Sequence, residues 1–186
     1  MDQFKFIKTQ LDGVFKIKRN PMLDSRGSFT RFFCASSFKE VGFLEEIRQV
    51  NYSISKNKGT IRGMHLQGHP CAEAKIVSCV KGRALDVIVD VRSDSPNFLC
   101  SYLTELSHDQ QDAVYVPKGF AHGFQTLTDD CEVMYLSSTD YDKKSEYCIN
   151  PFDPKLSIAW PIKTSEISDR DRNQPFLKDT FKGVTI

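Results

Sequence analysis

Between Ala84 and Val91 an apolar side chain recurs at every second position, Leu85, Val87, Val89 and Val91, with Asp86 and Asp90 facing the other way. A repeat of two belongs to an extended strand, whose successive side chains point to opposite faces, and not to a helix with its repeat of 3.6. The neighbouring runs are of the same kind. Lys75 to Val80 is short and β-branched, joined to the first by the tight-turn sequence Lys81-Gly82-Arg83, and Leu99 to Leu106, Ala113 to Val116 and Cys131 to Leu136 extend the series. Gly, Pro, Asn and Asp separate these runs at short intervals, which favours a sandwich or barrel over β-α-β units. The expected class is all-β: a mainly antiparallel, jelly-roll-like β-barrel with a few short helices. One such helix begins at Ser36 to Val41 with Ser36 or Ser37 as its N-cap, and further turns fall around Ser165 to Arg172. No repeat, low-complexity segment or linker divides the chain, so residues 1–186 read as one domain, long enough to bury a core.

Composition narrows the function classes. Lys and Arg number 25 against 24 Asp and Glu, a formal net charge of +1. Such a balance lacks the basic face of a nucleic-acid binder, so any phosphate recognition is local. The six cysteines, Cys34, Cys71, Cys79, Cys100, Cys131 and Cys148, form no C-x-x-C pair and no zinc-finger spacing. They read as reduced, mostly buried thiols. The start, Met1 to Phe6, has no apolar core of a signal peptide, and no apolar run approaches the ~20 residues of a membrane helix. The expectation is a soluble, cytoplasmic protein without nucleic-acid or membrane partners.

The chemistry concentrates in two clusters. Arg62-Gly63-Met64-His65-Leu66-Gln67 is followed by Lys75, and downstream lies Pro117-Lys118-Gly119-Phe120-Ala121-His122-Gly123-Phe124. Imidazole exchanges protons near neutrality, which makes His65 a candidate base. In a regular strand Arg62 and His65 point to opposite faces, so they meet at one site only if the backbone bulges at Gly63. A lysine inside a barrel is expensive unless it has an anionic partner or a task. Two cations near His65 favour its neutral form and stabilise an oxyanion. A metal site of the H-x-H…E kind is broken, because Gln67 stands where the second His would be, although P-x-G-x-x-H is present at Pro117 to His122. No metal and no cofactor is expected. Tyr135 is the candidate acid opposite the base, and Asp171 a carboxylate able to orient an imidazole.

These residues carry a family likeness. In order along the chain stand Asp24-Ser25-Arg26-Gly27-Ser28-Phe29, Gln49-Val50-Asn51-Tyr52-Ser53, Gly59 to Gln67, Glu73-Ala74-Lys75, Asp86 to Arg92, Pro117 to Phe124, Asp153-Pro154, Ile158-Ala159-Trp160-Pro161 and Ser168 to Asp171. Together they resemble the dTDP-4-dehydrorhamnose 3,5-epimerases, cupin-fold enzymes of deoxysugar biosynthesis, over nearly the whole chain. The resemblance implies cofactor-free proton chemistry on a nucleotide-linked 4-keto-6-deoxyhexose, whose C4 ketone acidifies the hydrogens on C3 and C5. It gives His65 the role of general base, oriented by Asp171, Lys75 that of enolate stabiliser and Tyr135 that of the acid on the opposite face. Arg26, Phe29, Gln49, Asn51, Arg62, His122 and Glu146 match substrate-binding positions, and Tyr141 one that stacks on the base. It further implies a homodimer whose N-terminal strands lie against the partner, with Arg26 and Phe29 serving the neighbouring site.

Two positions depart from the pattern. Thymidine-nucleotide enzymes of the family carry Glu two residues after the Phe of D-x-R-G-x-F, where this chain has Arg31, and Arg170 stands where Lys is usual. Both belong to the expected binding set. They leave the epimerase chemistry in place and open the nucleotide and the number of inverted centres. The alternatives are therefore a 3- or 5-monoepimerase or ketoisomerase on a CDP- or other NDP-linked sugar, and a non-catalytic sugar-nucleotide binding jelly roll.

Overall fold

The computed structural model describes residues 3–186; Met1 and Asp2, part of the stretch read for a leader, lie outside the described residues. Its elements, in chain order, are β1 (Phe4–Lys8), β2 (Phe15–Arg19), β3 (Met22–Asp24), β4 (Gly27–Phe29), α1 (Ala35–Phe38) running into a 3-10 turn (Lys39–Val41), β5 (Gln49–Ser55), β6 (Ile61–Gln67), β7 (Lys75–Lys81), β8 (Arg83–Asp90), β9 (Ser101–Ser107), β10 (Ala113–Val116), β11 (Phe120–Thr126), β12 (Cys131–Ser137), β13 (Glu146–Cys148) and α2 (Asp169–Arg172). One sheet runs β1-β2-β10-β7-β12-β5 and the other β13-β6-β11-β8-β9. Within them, β5-β12-β7-β10 lies against β6-β11-β8-β9, so that successive strands from β5 to β8 alternate between sheets. That order is a jelly roll. All pairings between named strands are antiparallel.

The turn at Lys81-Gly82-Arg83 is present, but it is a corner rather than a hairpin, because β7 and β8 belong to different sheets. Gly82 adopts φ +73, which a side chain would disfavour, and so lets the chain change sheets in one residue.

Hydrophobic residues pack in three places. Val77, Ile88, Leu106, Val116, Phe120 and Val133 fill the space between the sheets. On the outer face of the first sheet, Ile17, Ile76, Ala113 and Leu136 pack against Phe38, Val41 and Phe43. On the outer face of the second, Met64, Val87, Val89 and Ala121 pack against the C-terminal segment through Ile149, Leu156 and Val184. Both faces of β8 are therefore covered, and Asp86 (1% exposed) faces the interior rather than solvent.

Two local expectations are corrected. The N-cap of α1 is Cys34 and makes no side-chain cap, with Ser36 and Ser37 inside the helix. Burial of Phe38 fixes the turn instead, its ring meeting Phe4, Phe6 and Phe33. Of the six free cysteines only Cys79 and Cys131 are buried; Cys34, Cys71 and Cys148 are half-buried and Cys100 is exposed. Among the described residues no helix is long and apolar enough to cross a membrane.

Candidate active site

His65 sits on β6 and His122 on β11, and the two are direct partners across the pair. The register slips between His122 and Phe124, opposite Gly63, whose φ is +122. A Cβ at Gly63 would stand 2.8 Å from the His122 carbonyl oxygen, so only glycine fits so close to the neighbouring backbone. This bulge lets Arg62 and His65, of opposite parity in a regular strand, line the same cleft. The cleft encloses about 840 Å³, with Arg62, His65, Lys75, His122, Tyr135, Arg170 and Asp171 in its wall. A recess of about 200 Å³ beside it shares His65, Lys75 and Tyr135 and adds Gln49, Asn51, Glu73, Tyr141 and Glu146.

The two sheets contribute different groups. His65 and His122 come from the second sheet, Lys75 on β7 and Tyr135 on β12 from the first. Asp171 arrives from the far end of the chain. The Ile61 N–H donates to the Glu166 carbonyl and Ile61 bridges Ile167, which lays this segment beside β6. Ser168 then caps α2 by accepting from the Asp171 N–H at 3.1 Å. The result is a contact of 2.7 Å between Asp171 Oδ1 and His65 Nε2.

Each charged group in the wall has a specific neighbour. Lys75 Nζ lies 2.8 Å from Glu73 Oε1, and Ser137 Oγ donates to Glu73 Oε2 at 2.8 Å. His122 Nε2 meets Asp86 Oδ2 at 2.8 Å, while the buried Asp86 Oδ1 has no partner among the described residues. Arg170 grips Glu146 through two N–H···O bonds of 2.9 and 3.0 Å, and Tyr141 donates to the same carboxylate at 2.9 Å. The arginine in contact with His65 is Arg170, at 2.9 Å, and not the sequence-adjacent Arg62, which donates to Ser55 Oγ and the Ile54 carbonyl. Gln67 spans the loop that carries Tyr141, donating to the Asp140 carbonyl and accepting from the Asp142 N–H.

Burial works against the Asp171 carboxylate, but the hydrogen bond and charge of His65, with bonds involving Cys148 and Ser168, outweigh it and hold the carboxyl well below its usual range. The same burial lifts the Cys148 thiol, 3.3 Å from Asp171 Oδ1, to about 12. Burial, helped by the charge of Glu73, also raises the Tyr135 phenol, so it is a protonated donor at neutral pH. Burial raises Glu146, but the Arg170 and Tyr141 hydrogen bonds overcome it and leave the group ionised. His65, Cys148 and Asp171 lie close enough to share one cation. The Arg170 guanidinium, against both His65 Nε2 and Asp171 Oδ1 (3.6 Å), opposes one.

The chain's own cleft gathers most of the expected residues but not Arg26, Phe29 or Arg31. Arg26 and Phe29 belong to the exposed β3–β4 hairpin, where Arg26 pairs with Asp24 at 2.6 Å, and Arg31 follows it, also exposed. Glu73, Asp86 and Cys148 join the site without having been expected there from the sequence. Glu73 and Lys75 are two apart, so an alternating reading from Lys75 places both on one face. Asp86 shares the face of Ile88, which packs between the sheets, a placement that the alternation alone does not give.

The sequence profile of the dTDP-4-dehydrorhamnose 3,5-epimerases matches residues 8–179. The chain belongs to this family. Among its relatives, the dTDP-4-dehydrorhamnose 3,5-epimerase of Shigella flexneri is 38% identical over 90% of this chain and 92% of its own. The dTDP-4-dehydrorhamnose 3-epimerase of Streptomyces niveus is 36% identical over 91% of this chain and 82% of its own. The crystal structure of the Bacillus anthracis 3,5-epimerase, with TDP and PPi bound, superposes with a TM-score of 0.90 at 36% identity, covering 94% of this chain and 99% of that one. The jelly roll is thus that of the epimerase family.

Proposed function

We propose that the protein epimerises a nucleotide-linked 4-keto-6-deoxyhexose, of the dTDP-4-dehydro-6-deoxyglucose type, at C3, C5 or both. The observation that carries this reading is the placement of His65 on one sheet and of Lys75 and Tyr135 on the facing sheet, all lining one cleft. Inverting a carbon requires a proton to leave one face of the ring and another to arrive at the opposite face. His65 takes the proton from the carbon beside the ketone, and the C–H electron pair moves into an enolate whose negative oxygen lies at the former C4 carbonyl. Lys75, held by Glu73, stabilises that oxygen. Tyr135 then donates its phenolic proton to the carbanionic carbon from the other side. Asp171 fixes the imidazole and stabilises its protonated form. Arg62, Arg170, Gln49, Asn51, His122, Tyr141 and Glu146 bind the sugar nucleotide, and guanidinium groups suit its diphosphate.

The assembly is a homodimer. Val50, Tyr52 and Ile54 are exposed along the edge strand β5, and Met22, Leu23 and Phe29 on the β3–β4 hairpin, an apolar surface that a second copy would bury. In that dimer Arg26, Phe29 and Arg31 reach the neighbouring cleft. A soluble pathway enzyme of this kind works in the cytoplasm.

The test is proton NMR of dTDP-4-keto-6-deoxyglucose with the protein in deuterated water. Deuterium at C3 and C5 establishes the double epimerase, and label at one carbon a monoepimerase, the activity named for the Streptomyces niveus relative. No exchange on this or a CDP-linked 4-keto sugar, with the sugar nucleotide still bound, would replace the enzyme by a binding jelly roll. Light scattering across a concentration series tests the dimer, which a monomer at all concentrations would rule out.

A further inference from the structure

Two contacts converge on one atom. His65 Nε2 lies 2.7 Å from Asp171 Oδ1 and 2.9 Å from Arg170 Nη2. A carboxylate oxygen only accepts and a guanidinium nitrogen only donates, whereas a ring nitrogen offers either an N–H or a lone pair. The Asp171 contact is a hydrogen bond when Nε2 carries the proton. The Arg170 contact is one when Nε2 is bare and the proton sits on Nδ1. They exclude each other.

The two states differ in function. With Nε2–H directed at Asp171, the Nδ1 lone pair is free to take a proton from substrate. With the proton on Nδ1 and Nε2 occupied by Arg170, neither nitrogen is available. Arg170 is well placed to hold the second state. Its Nη1 donates to Glu146 Oε2 at 2.9 Å, and Nη2 has two hydrogens for its two acceptors, Glu146 Oε1 at 3.0 Å and His65 Nε2. Asp171 keeps a donor in that state, the Cys148 thiol at 3.3 Å. The Arg170 side chain is 48% exposed and sits in the cleft wall, where an anion can draw it away.

We propose that Arg170 is a positioning residue that caps His65 in the free protein and is released by the substrate diphosphate, so that the base becomes competent only when the site is filled. This rests on the epimerase reading above. Diphosphate offers the guanidinium a two-pronged anionic partner in place of Glu146 and His65. A lysine at 170 has no fork with which to hold the carboxylate through two bonds and the imidazole through a third, so the cap belongs to the arginine that this chain carries.

The experiment is a long-range proton–nitrogen correlation spectrum of histidine-labelled protein at about pH 8, where imidazole is neutral, with the His65 signals assigned from their loss in His65→Gln. The probes are TDP and inorganic pyrophosphate. The free wild-type protein should show His65 protonated on Nδ1, and saturating TDP or pyrophosphate should move the proton to Nε2. Arg170→Lys should show Nε2–H with and without TDP while keeping TDP affinity within about tenfold, and Arg170→Met should lose more than tenfold; circular dichroism checks that each is folded. Nε2–H in the free wild-type protein, as neutral ring or imidazolium, would overturn the proposal. So would a tautomer that neither anion changes, or an Arg170→Lys protein that keeps the wild-type tautomer. None of these readouts uses turnover, so absent deuterium exchange would strike the epimerase reading without deciding the tautomer.

Discussion

Replacing Glu73 by Gln would leave the Lys75 ammonium inside the barrel without its counter-charge. The two groups are 2.8 Å apart and each side chain is 10% exposed. At an effective dielectric of about 20, unit charges at that distance attract by about 6 kcal/mol. The glutamine carbonyl retains a hydrogen bond to a charged donor, about 1.5–3 kcal/mol, so the net loss is about 3–4 kcal/mol. One kcal/mol moves the midpoint of a chain this long by about 2–4 °C, which puts the fall in Tm near 10 °C. Thermal and urea unfolding followed by circular dichroism measure it. Removing both charges in Glu73→Gln/Lys75→Met should recover most of the loss, since the penalty comes from the charge left unpaired. A single mutant within about 1 kcal/mol of wild type, or a double mutant less stable than the single, would show that the Lys75 charge does not depend on Glu73.

Four further outcomes follow, three at the cleft and one from the cysteines. Asp171→Asn should lower kcat for proton exchange by about two to three orders of magnitude, because the imidazolium loses its carboxylate. The Asp171 carboxyl titrates below its ordinary value of about 3.9 in the fold, so its contribution to stability is complete above about pH 4 and disappears as pH falls through the folded value; the stability gap to Asp171→Asn, from urea melts, should close on acidification. Tyr135→Phe should still exchange substrate hydrogen for deuterium while inverting at least tenfold more slowly, an outcome NMR separates from simple loss of activity; equal loss of both would count against the division of labour. Alkylation with iodoacetamide near pH 7, read by peptide mass spectrometry, should label Cys34 long before Cys148. Hydrogen bonding to Ser36, then Ser37, brings Cys34 down to about 7, so about half is thiolate, whereas Cys148 near 12 leaves only ~1 in 10⁵.

The alternation at Leu85 to Val91 was enough to assign a strand because period two survives whatever covers it. It was not enough to say what each face meets. Val87 and Val89 pack outward under the C-terminal segment and Asp86 points inward. Apolar residues thus lie on both faces of β8, Ile88 inward and Val87 and Val89 outward, and only the tertiary cover reveals which face Asp86 meets. The bulge at Gly63 was readable as a condition for Arg62 and His65 to share a site, and the register slip meets that condition. Asp171 stood 106 positions from its imidazole, a separation no local pattern crosses. The hand-over from Arg62 to Arg170 as the cation against His65 has the same origin, since it depends on where the chain's last segment docks.

A barrel interior holding two imidazoles, two carboxylates, an ammonium and a phenol is a poor core, and the fold compensates by placing cores elsewhere. One end of the space between the sheets is filled by Leu11, Val14, Leu106, Val114 and Val116, while the other is left to His65, Lys75, His122 and Tyr135. Apolar layers on the two outer faces bury the opposite sides of the strands that carry those groups. Each catalytic strand is thus anchored by its outer residues, Ile76 and Leu136 on one sheet, Met64 and Leu66 on the other, next to the polar positions that face inward. Because the anchoring side chains alternate with the reactive ones, the reactive groups are held from behind at fixed separation. Enlarging a neighbour on the outer face should therefore disturb proton transfer without touching the cleft itself.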